Sequence, residues 1–284
     1  MKPGTKLQGL LRLFRFELPF AAGVCVLLGE LLALGQLPGL KELVFGFLSV
    51  FLISAAALIL NDYFDFESDQ INAPDRPLPA GLVTRREVAI LGVSVTLLGF
   101  AASAMISLAA LLVAILVWLV GFLYNWCFKQ TGLIGNLMVS FSVGMTFIFG
   151  GIVVGNPFEV LVWYFAILAA LIDFGEEIAA DAMDMEGDRQ AGSRSVALVF
   201  GREKALKISG AIFITVVMLS WVPFIFGWIN WIYGIAILLM DAMILYSTIK
   251  ILDSRSTRQR MYIRWIYLGS SAALIIFIIM RLFI

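Results

Sequence analysis

From Val88 to Phe128 the chain runs for 41 residues without one Asp, Glu, Lys or Arg. As a helix rising about 1.5 Å per residue, that stretch is roughly 60 Å long, twice the hydrocarbon thickness of a bilayer. Few environments accept so long an uncharged run, and a membrane is the one that requires it. Composition agrees. The 284 residues are 61% hydrophobic and 14% charged, against roughly 45–50% and 25% for soluble domains. A soluble protein, a disordered chain, a collagen and a coiled coil are all excluded.

The same length rule, applied along the chain, predicts an all-α bundle of nine spans near 17–36, 43–62, 88–107, 109–126, 133–153, 158–178, 206–226, 229–249 and 265–283. Ile208–Met240 divides near Gly227, where Trp228 and Trp231 mark an interfacial belt. The first span has no convincing small-residue cleavage site after it and is read as a retained helix. With the N-terminus in the cytoplasm, 18 of the 20 basic residues fall inside, from Lys2, Lys6 and Arg12 to Arg255, Arg258, Arg260 and Arg264. Only Lys41 and Arg281 fall outside. One span more or fewer would scramble that asymmetry. The expectation is a multi-pass cell-membrane protein, a single intramembrane domain over 1–284.

Twelve of the 20 acids lie in two short windows, Asp62–Asp75 and Asp173–Asp188, each where an apolar span emerges on the cytoplasmic side. The first reads Asn61-Asp62-x-x-Asp65-x-x-x-Asp69, the second Asp181-x-x-Asp184-x-x-x-Asp188. Offsets of 0, 3 and 7 fall within about 60° on a helix, so each set faces one way. Asp173 and Glu177 extend the second stripe by steps of four. Like charges so stacked repel. Hard divalent cations want oxygen ligands, and magnesium is commonly held by one or two carboxylates and substrate phosphates. Two facing stripes (Asp62, Asp65 and Asp69 against Asp181, Asp184 and Asp188) can hold magnesium and a diphosphate between them.

Cations accompany both windows. Arg76 sits in the turn-rich loop Asn72–Gly81, and Arg189 and Arg194 follow the second stripe; each can grip phosphate oxygens bidentately. Arg15 and Lys129 are further cations for an anionic substrate. Arg85 and Arg86 are read as positive-inside charges, and Cys25 and Cys127 as packing. There is no histidine, so imidazole acid–base chemistry and nearly every zinc site are excluded. A net charge of zero offers nucleic acid nothing, and nothing points to a protein partner.

With these residues in view, the chain resembles the UbiA superfamily of intramembrane prenyltransferases. Asn61–Asp69 resembles the family's N-D-x-x-D-x-x-x-D, Asp75–Gly81 its following loop, and Asp181–Asp188 with Arg189-Gln190-Ala191-Gly192 its second aspartate motif. Tyr124, Lys129 and Gly135-Asn136 are also similar, and Phe147–Gly151 more weakly. The resemblance implies that Asn61, Asp65, Asp69, Asp184 and Asp188 bind a prenyl diphosphate through magnesium, with Asp62 and Asp181 supporting them. It implies that Lys129 and Arg76 lie near the diphosphate and that Tyr124 faces an allylic cation, with Phe122 or Trp126 beside it. Trp118 is read as lipid or core contact. Arg15–Gly23 and Asn61–Gly81 are most similar to the members that build archaeal ether lipids. That implies geranylgeranyl transfer to the hydroxyl of geranylgeranylglyceryl phosphate, although Leu18 stands where many members have asparagine.

Other classes fit less well. An aromatic acceptor, as in quinone synthesis, needs only one carboxylate site. A transporter places its acids near the midplane, where this chain has only Glu30 and Asp241. A CDP-alcohol phosphotransferase needs D-x-x-D-G-x-x-A-R, which is absent. A cysteine introduced at Ser68 or Ser193 is expected to escape an impermeant maleimide in intact cells and to react once the membrane is opened; efficient labelling from outside would reverse the topology.

Overall fold

The uncharged run breaks at one residue. Ser107 adopts an extended backbone (φ −165°, ψ 164°), and its hydroxyl caps the next helix by accepting the Ala110 N–H at 3.1 Å. One capping serine therefore divides α5 (Arg85–Ile106) from α6 (Leu108–Leu123) without glycine or proline. The architecture is that of a computed structural model describing residues 5–190, 192–253 and 258–283. Lys2, Arg255 and Ala191, used above, lie outside the described residues.

Of the described residues 84% are helical and none is in a strand. A short α1 (Lys6–Leu13) carries a Thr5/Gln8 capping box and precedes α2 (Glu17–Leu34) and α3 (Leu40–Phe64). A short α4 (Phe66–Asn72) leads through the Pro-rich loop to α5. After α6 come α7 (Leu133–Val153), α8 (Val160–Gln190), α9 (Val196–Phe200), α10 (Arg202–Ser220), α11 (Val222–Ile225), α12 (Gly234–Leu252) and α13 (Gln259–Phe283). Among the described residues, eight helical runs are long and apolar enough to cross a membrane. The 31-residue α8 is long enough, but Asp173, Glu176 and Glu177 interrupt its apolar run. The turn near Gly227 (φ +69°) separates α11 from α12, close to where the sequence placed it.

Neighbours follow chain order: α2 packs on α3, α3 on α5, α7 on α8, α8 on α10, α10 on α12, and α12 on α13, which returns to α2 and α8. The central crossing, α2 on α7, is made of glycine. A β-carbon on Gly29 would stand 2.3 Å from the Phe147 carbonyl oxygen, and one on Gly150 2.3 Å from the Val26 carbonyl oxygen. Small residues let membrane helices approach to backbone contact, where dispersion rather than water expulsion holds them. Toward the acid-bearing end the same two helices part, and a cavity opens.

Polar side chains tie other helices together. Ser49 and Ser103 join α3 to α5 through their hydroxyls; the Ser209 hydroxyl donates to the Gly175 carbonyl at 2.7 Å. Asp241 accepts from Ser220 (3.0 Å) and the Trp221 indole (2.8 Å), pinning α12 to the α10–α11 corner. Glu30 differs: it is fully buried beside Gly46, and neither carboxyl oxygen has a hydrogen-bond partner. Exposed Val93, Leu97, Leu112, Leu116 and Ile279 present an apolar exterior.

Gly150→Ala is expected to destabilise the fold by about 1–3 kcal/mol through overpacking, read as a lower thermal midpoint and folded yield in detergent. Gly121→Ala, whose added carbon meets only Ala57 at 3.7 Å, should leave both nearly unchanged.

Candidate functional site

A cavity of about 1180 Å³ lies between the parted helices, above the usual 300–1,000 Å³ of a small-ligand pocket. From α2 it is lined by Leu18, Ala21, Ala22 and Cys25, and from α7 by Met138 to Phe149; neither helix lines it beyond the glycine crossing, which is its floor. Ser49 to Asn61 of α3, Ala114 to Gly121 of α6 and Tyr124 just beyond it form one wall, and α8, α12 and α13 the other. Most of the lining is apolar. The polar groups gather at the acid-bearing mouth.

At that mouth α3 ends at Phe64, and Asp65 is the joint to α4. The joint separates the first stripe. Asp62, 2% exposed, turns inward to an ion pair with Arg15 and lies 3.5 Å from Arg76. Asp69 pairs with Arg76 at 2.5 Å, and Asp65 with Lys129. Arg15 has φ +44°, the left-handed region that non-glycine residues rarely adopt, and it lines the cavity. The Asn61 amide donates to the Asn125 side chain (2.9 Å), whose own amide reaches the Ala57 and Gly121 carbonyls.

Asn125 is positioned by something the sequence did not signal. After Leu123 the helix widens into a π turn, Tyr124–Phe128, then tightens into a 3₁₀ turn, Lys129–Thr131. Such turns re-aim side chains and cluster at functional sites. Here Tyr124, Asn125 and Lys129 all line the cavity. Gly132 ends the segment with φ +68°; a β-carbon there would meet the Arg194 carbonyl at 2.2 Å, and the Arg194 N–H donates to the Gln130 carbonyl at 2.9 Å. The Lys129 loop is thereby fastened to the segment that follows the second stripe.

The second stripe continues α8 beyond the expected span end. The Asn136 amide donates to Asp181 (2.9 Å), the Ser140 hydroxyl to Asp173 (2.9 Å), and Arg260 pairs with Asp184. Burial pushes the Asp181 carboxyl up to about 6, aided by Asp188 and Asp184 and opposed by Asn136. Burial also raises the Asp188 carboxyl, and Lys129 opposes it. Lys129 therefore pairs with the first stripe and acts on the second, and Tyr124 lies within electrostatic range of Asp65 and Asp181. The two stripes meet around Lys129.

Not every predicted residue arrives. Arg189 faces Glu186 at 3.7 Å, and Arg194 is exposed; neither lines the cavity. Trp126 is 63% exposed and does not line the cavity, whereas Trp118, read as lipid or core contact, lines it with Phe122 stacked on it at 5.4 Å. Cys127, read as packing, is exposed. Sequence reasoning missed Arg260, Arg264 and Tyr267 of α13 and Glu176 of α8, all cavity-lining. Their one signal was helical spacing, three or four residues apart on α13.

The match to the UbiA prenyltransferase family covers residues 22–279. The chain belongs to the UbiA prenyltransferase family. Digeranylgeranylglyceryl phosphate synthase of Thermococcus kodakarensis is 36% identical over 234 residues, 82% of this chain and 83% of that one. The enzyme of that name from Natronomonas pharaonis is 29% identical over 98% of both chains. A solved structure described as digeranylgeranylglyceryl phosphate synthase in membranes has a TM-score of 0.78 at 28% identity and covers 98% of this chain and 99% of its own. A UbiA homologue from Archaeoglobus fulgidus, bound to DMAPP and Mg2+, shares the fold: TM-score 0.70 at 22% identity, over 95% and 97% of the two chains. The protein is thus a multi-pass membrane member of this family, a helical bundle around a largely apolar cavity.

The site's chemistry fits a hard cation. Its acidic donors are all oxygen, and Asp188 Oδ2 is buried without a hydrogen-bond partner, the kind of orphan a bound cation satisfies. Among the described residues no three acids converge tightly enough to hold a metal alone, so a cation there would share its coordination with substrate oxygens. Protons compete with a cation for Asp181, whose carboxyl is neutral below about pH 6. Divalent-cation affinity, measured by calorimetry, is therefore expected to weaken as pH falls from 7 to 5, and Asp181→Asn should flatten that dependence.

Proposed function

We propose that the protein transfers a geranylgeranyl group from geranylgeranyl diphosphate to the free hydroxyl of geranylgeranylglyceryl phosphate, forming an ether bond of an archaeal-type membrane lipid. The observation that carries this reading is the convergence of both acidic stripes and Lys129 at the mouth of one long apolar cavity. A charged head and a prenyl tail need those two environments, joined end to end. The names borne by relatives at 36% and 29% identity support the acceptor.

The whole chain acts as one intramembrane domain. α8 counts as a ninth crossing, its acids standing at the cavity rather than in lipid, and the N-terminus and both stripes lie on the cytoplasmic side. The charge asymmetry of the sequence supports that orientation.

Asp65, Asp69, Asp184 and Asp188, with Asp62 and Asp181 behind them, would hold magnesium. Bound magnesium supplies positive charge to the diphosphate as its bond to carbon breaks. Lys129, Arg76 and Asn61 bind phosphate oxygens, and Arg15 orients Asp62. Asp65 and Asp69 already hold Lys129 and Arg76, so a magnesium diphosphate can take the place of these pairs with little change in local charge. Tyr124 and Trp118 present aromatic faces to the allylic cation, an attraction worth up to about 2 kcal/mol when desolvated. The apolar walls exclude water, which would otherwise quench that cation to an alcohol.

Purified protein given labelled geranylgeranyl diphosphate is expected to form the ether with the phosphate acceptor, to stop in excess chelator, and to lose about 100-fold or more in Asp65→Asn or Asp184→Asn while still folding. Removing the acceptor's phosphate should weaken its use strongly. Prenylation of 4-hydroxybenzoate instead would overturn the acceptor and keep the reaction class; wild-type rates in both variants would overturn the site.

A further inference from the structure

Two acids of the second window, Glu176 and Glu186, stand off its stripe, and of the two Glu176 lines the cavity. Asp173, Glu177, Asp181, Asp184 and Asp188 follow one another along α8 by steps of four and three, and Glu176 is turned at least about 60° from each of them. It follows instead Phe165, Ala169, Ile172, Ala180 and Met183, all of which line the cavity. Its Oε1 is buried and accepts no hydrogen bond. Asp173, Asp181 and Asp184 already accept from Ser140, Asn136 and Arg260.

Across from it, α13 presents a graded face. Arg260, Arg264, Tyr267, Ser271, Leu274 and Phe277 recur at steps of four and three, and all line the cavity. The face runs from guanidinium through hydroxyl to hydrocarbon. A lipid with a phosphate, a neighbouring free hydroxyl and a prenyl tail has the same order of groups. Arg264 lies 3.2 Å from Glu17, and Arg260 pairs with Asp184. Both arginine side chains are about two-thirds exposed, and both acids are about half exposed. Such pairs contribute little and exchange readily for a phosphate. Tyr267 is three residues, about 4.5 Å, deeper than Arg264, and lies within electrostatic range of Glu176. A hydroxyl on the carbon next to a phosphate ester spans a comparable distance.

We propose that the α8–α13 wall is the acceptor's subsite, where Arg260 and Arg264 hold its phosphate and Glu176, facing Tyr267, takes the proton from its attacking hydroxyl. This rests on the proposed function and adds the base and the phosphate contacts that it lacks. The bond between the donor's first carbon and the diphosphate oxygen breaks, and the diphosphate leaves with the electron pair. The acceptor oxygen bonds to that carbon, and its proton passes to the Glu176 carboxylate, to be released when product leaves. The donor's diphosphate is held on the other side of the mouth by Lys129 and Asn61, so the two anions do not compete.

The test compares wild type with Glu176→Gln on the hydroxyl acceptor and on an analogue carrying a thiol there, whose more acidic proton needs less help. Glu176→Gln is expected to lose 100-fold or more in kcat with the hydroxyl and less than tenfold with the thiol, with thermal midpoint and calorimetric affinity for the donor diphosphate kept. Arg260→Ala with Arg264→Ala should raise KM for the phosphate acceptor at least tenfold and leave KM for its dephosphorylated form unchanged. Equal losses on both nucleophiles, or a wild-type kcat in Glu176→Gln, would overturn the base; unchanged KM in the arginine variant would overturn the phosphate contacts. A wild type that makes no ether from the phosphate acceptor would overturn the proposed function itself, and this subsite with it.

Discussion

Carboxylates gathered at a membrane surface repel one another, and this fold is organised around holding them together. Asp62, Asp65, Asp69 and Asp184 each face a cation: Arg15 and Arg76, Lys129, Arg76, and Arg260. The cations come from the turn before α2, the loop after α4, the π-turn segment after α6, and α13. Removing the Arg76 loop or the Lys129 segment would leave Asp69 or Asp65, both largely buried, without its counter-charge, which costs more than the ion pair gains; the half-exposed pair of Asp184 and Arg260 contributes little. The charge requirement therefore reaches four separate stretches of the chain and draws their ends to one mouth.

Below that mouth a different constraint acts. In hydrocarbon no water is expelled when helices meet, so close approach must provide the attraction. α2 and α7 obtain it through Gly29 and Gly150. Because they converge there and diverge toward the acids, the same crossing both closes the bundle and sets the cavity floor. Lys129 then depends on Gly132, whose positive φ and lack of a side chain allow its loop to rest on the Arg194 backbone.

Much of this was legible in residues close together in the sequence. The positions of eight spans, the break between 107 and 109, the turn near Gly227 and the presence of two acidic windows all follow from local hydropathy or local spacing. Asp62, Asp65, Asp69, Asp181, Asp184, Asp188, Tyr124, Lys129, Asn61, Arg76 and Arg15 all stand at or beside the mouth. Arg189 and Arg194 do not line the cavity, because nearness along the chain does not fix direction: Arg189 leaves α8 on the side of Glu186. Trp118 and Trp126 exchanged roles for a similar reason, since the π turn shifts the helical phase between them.

The sequence by itself determined a membrane-spanning helical bundle and the carboxylate stripe of α8, because hydrocarbon thickness and helical periodicity act over a few turns of one segment; the joint at Asp65, which breaks the first stripe, was left to the fold. It could not decide which distant cation answers each acid, where Asn125 and Glu176 face, or that α13 closes the cavity with Arg260, Arg264 and Tyr267. Those contacts join residues far apart in the chain. They depend on helix crossings and on one widened turn, whose geometry is set by packing between segments.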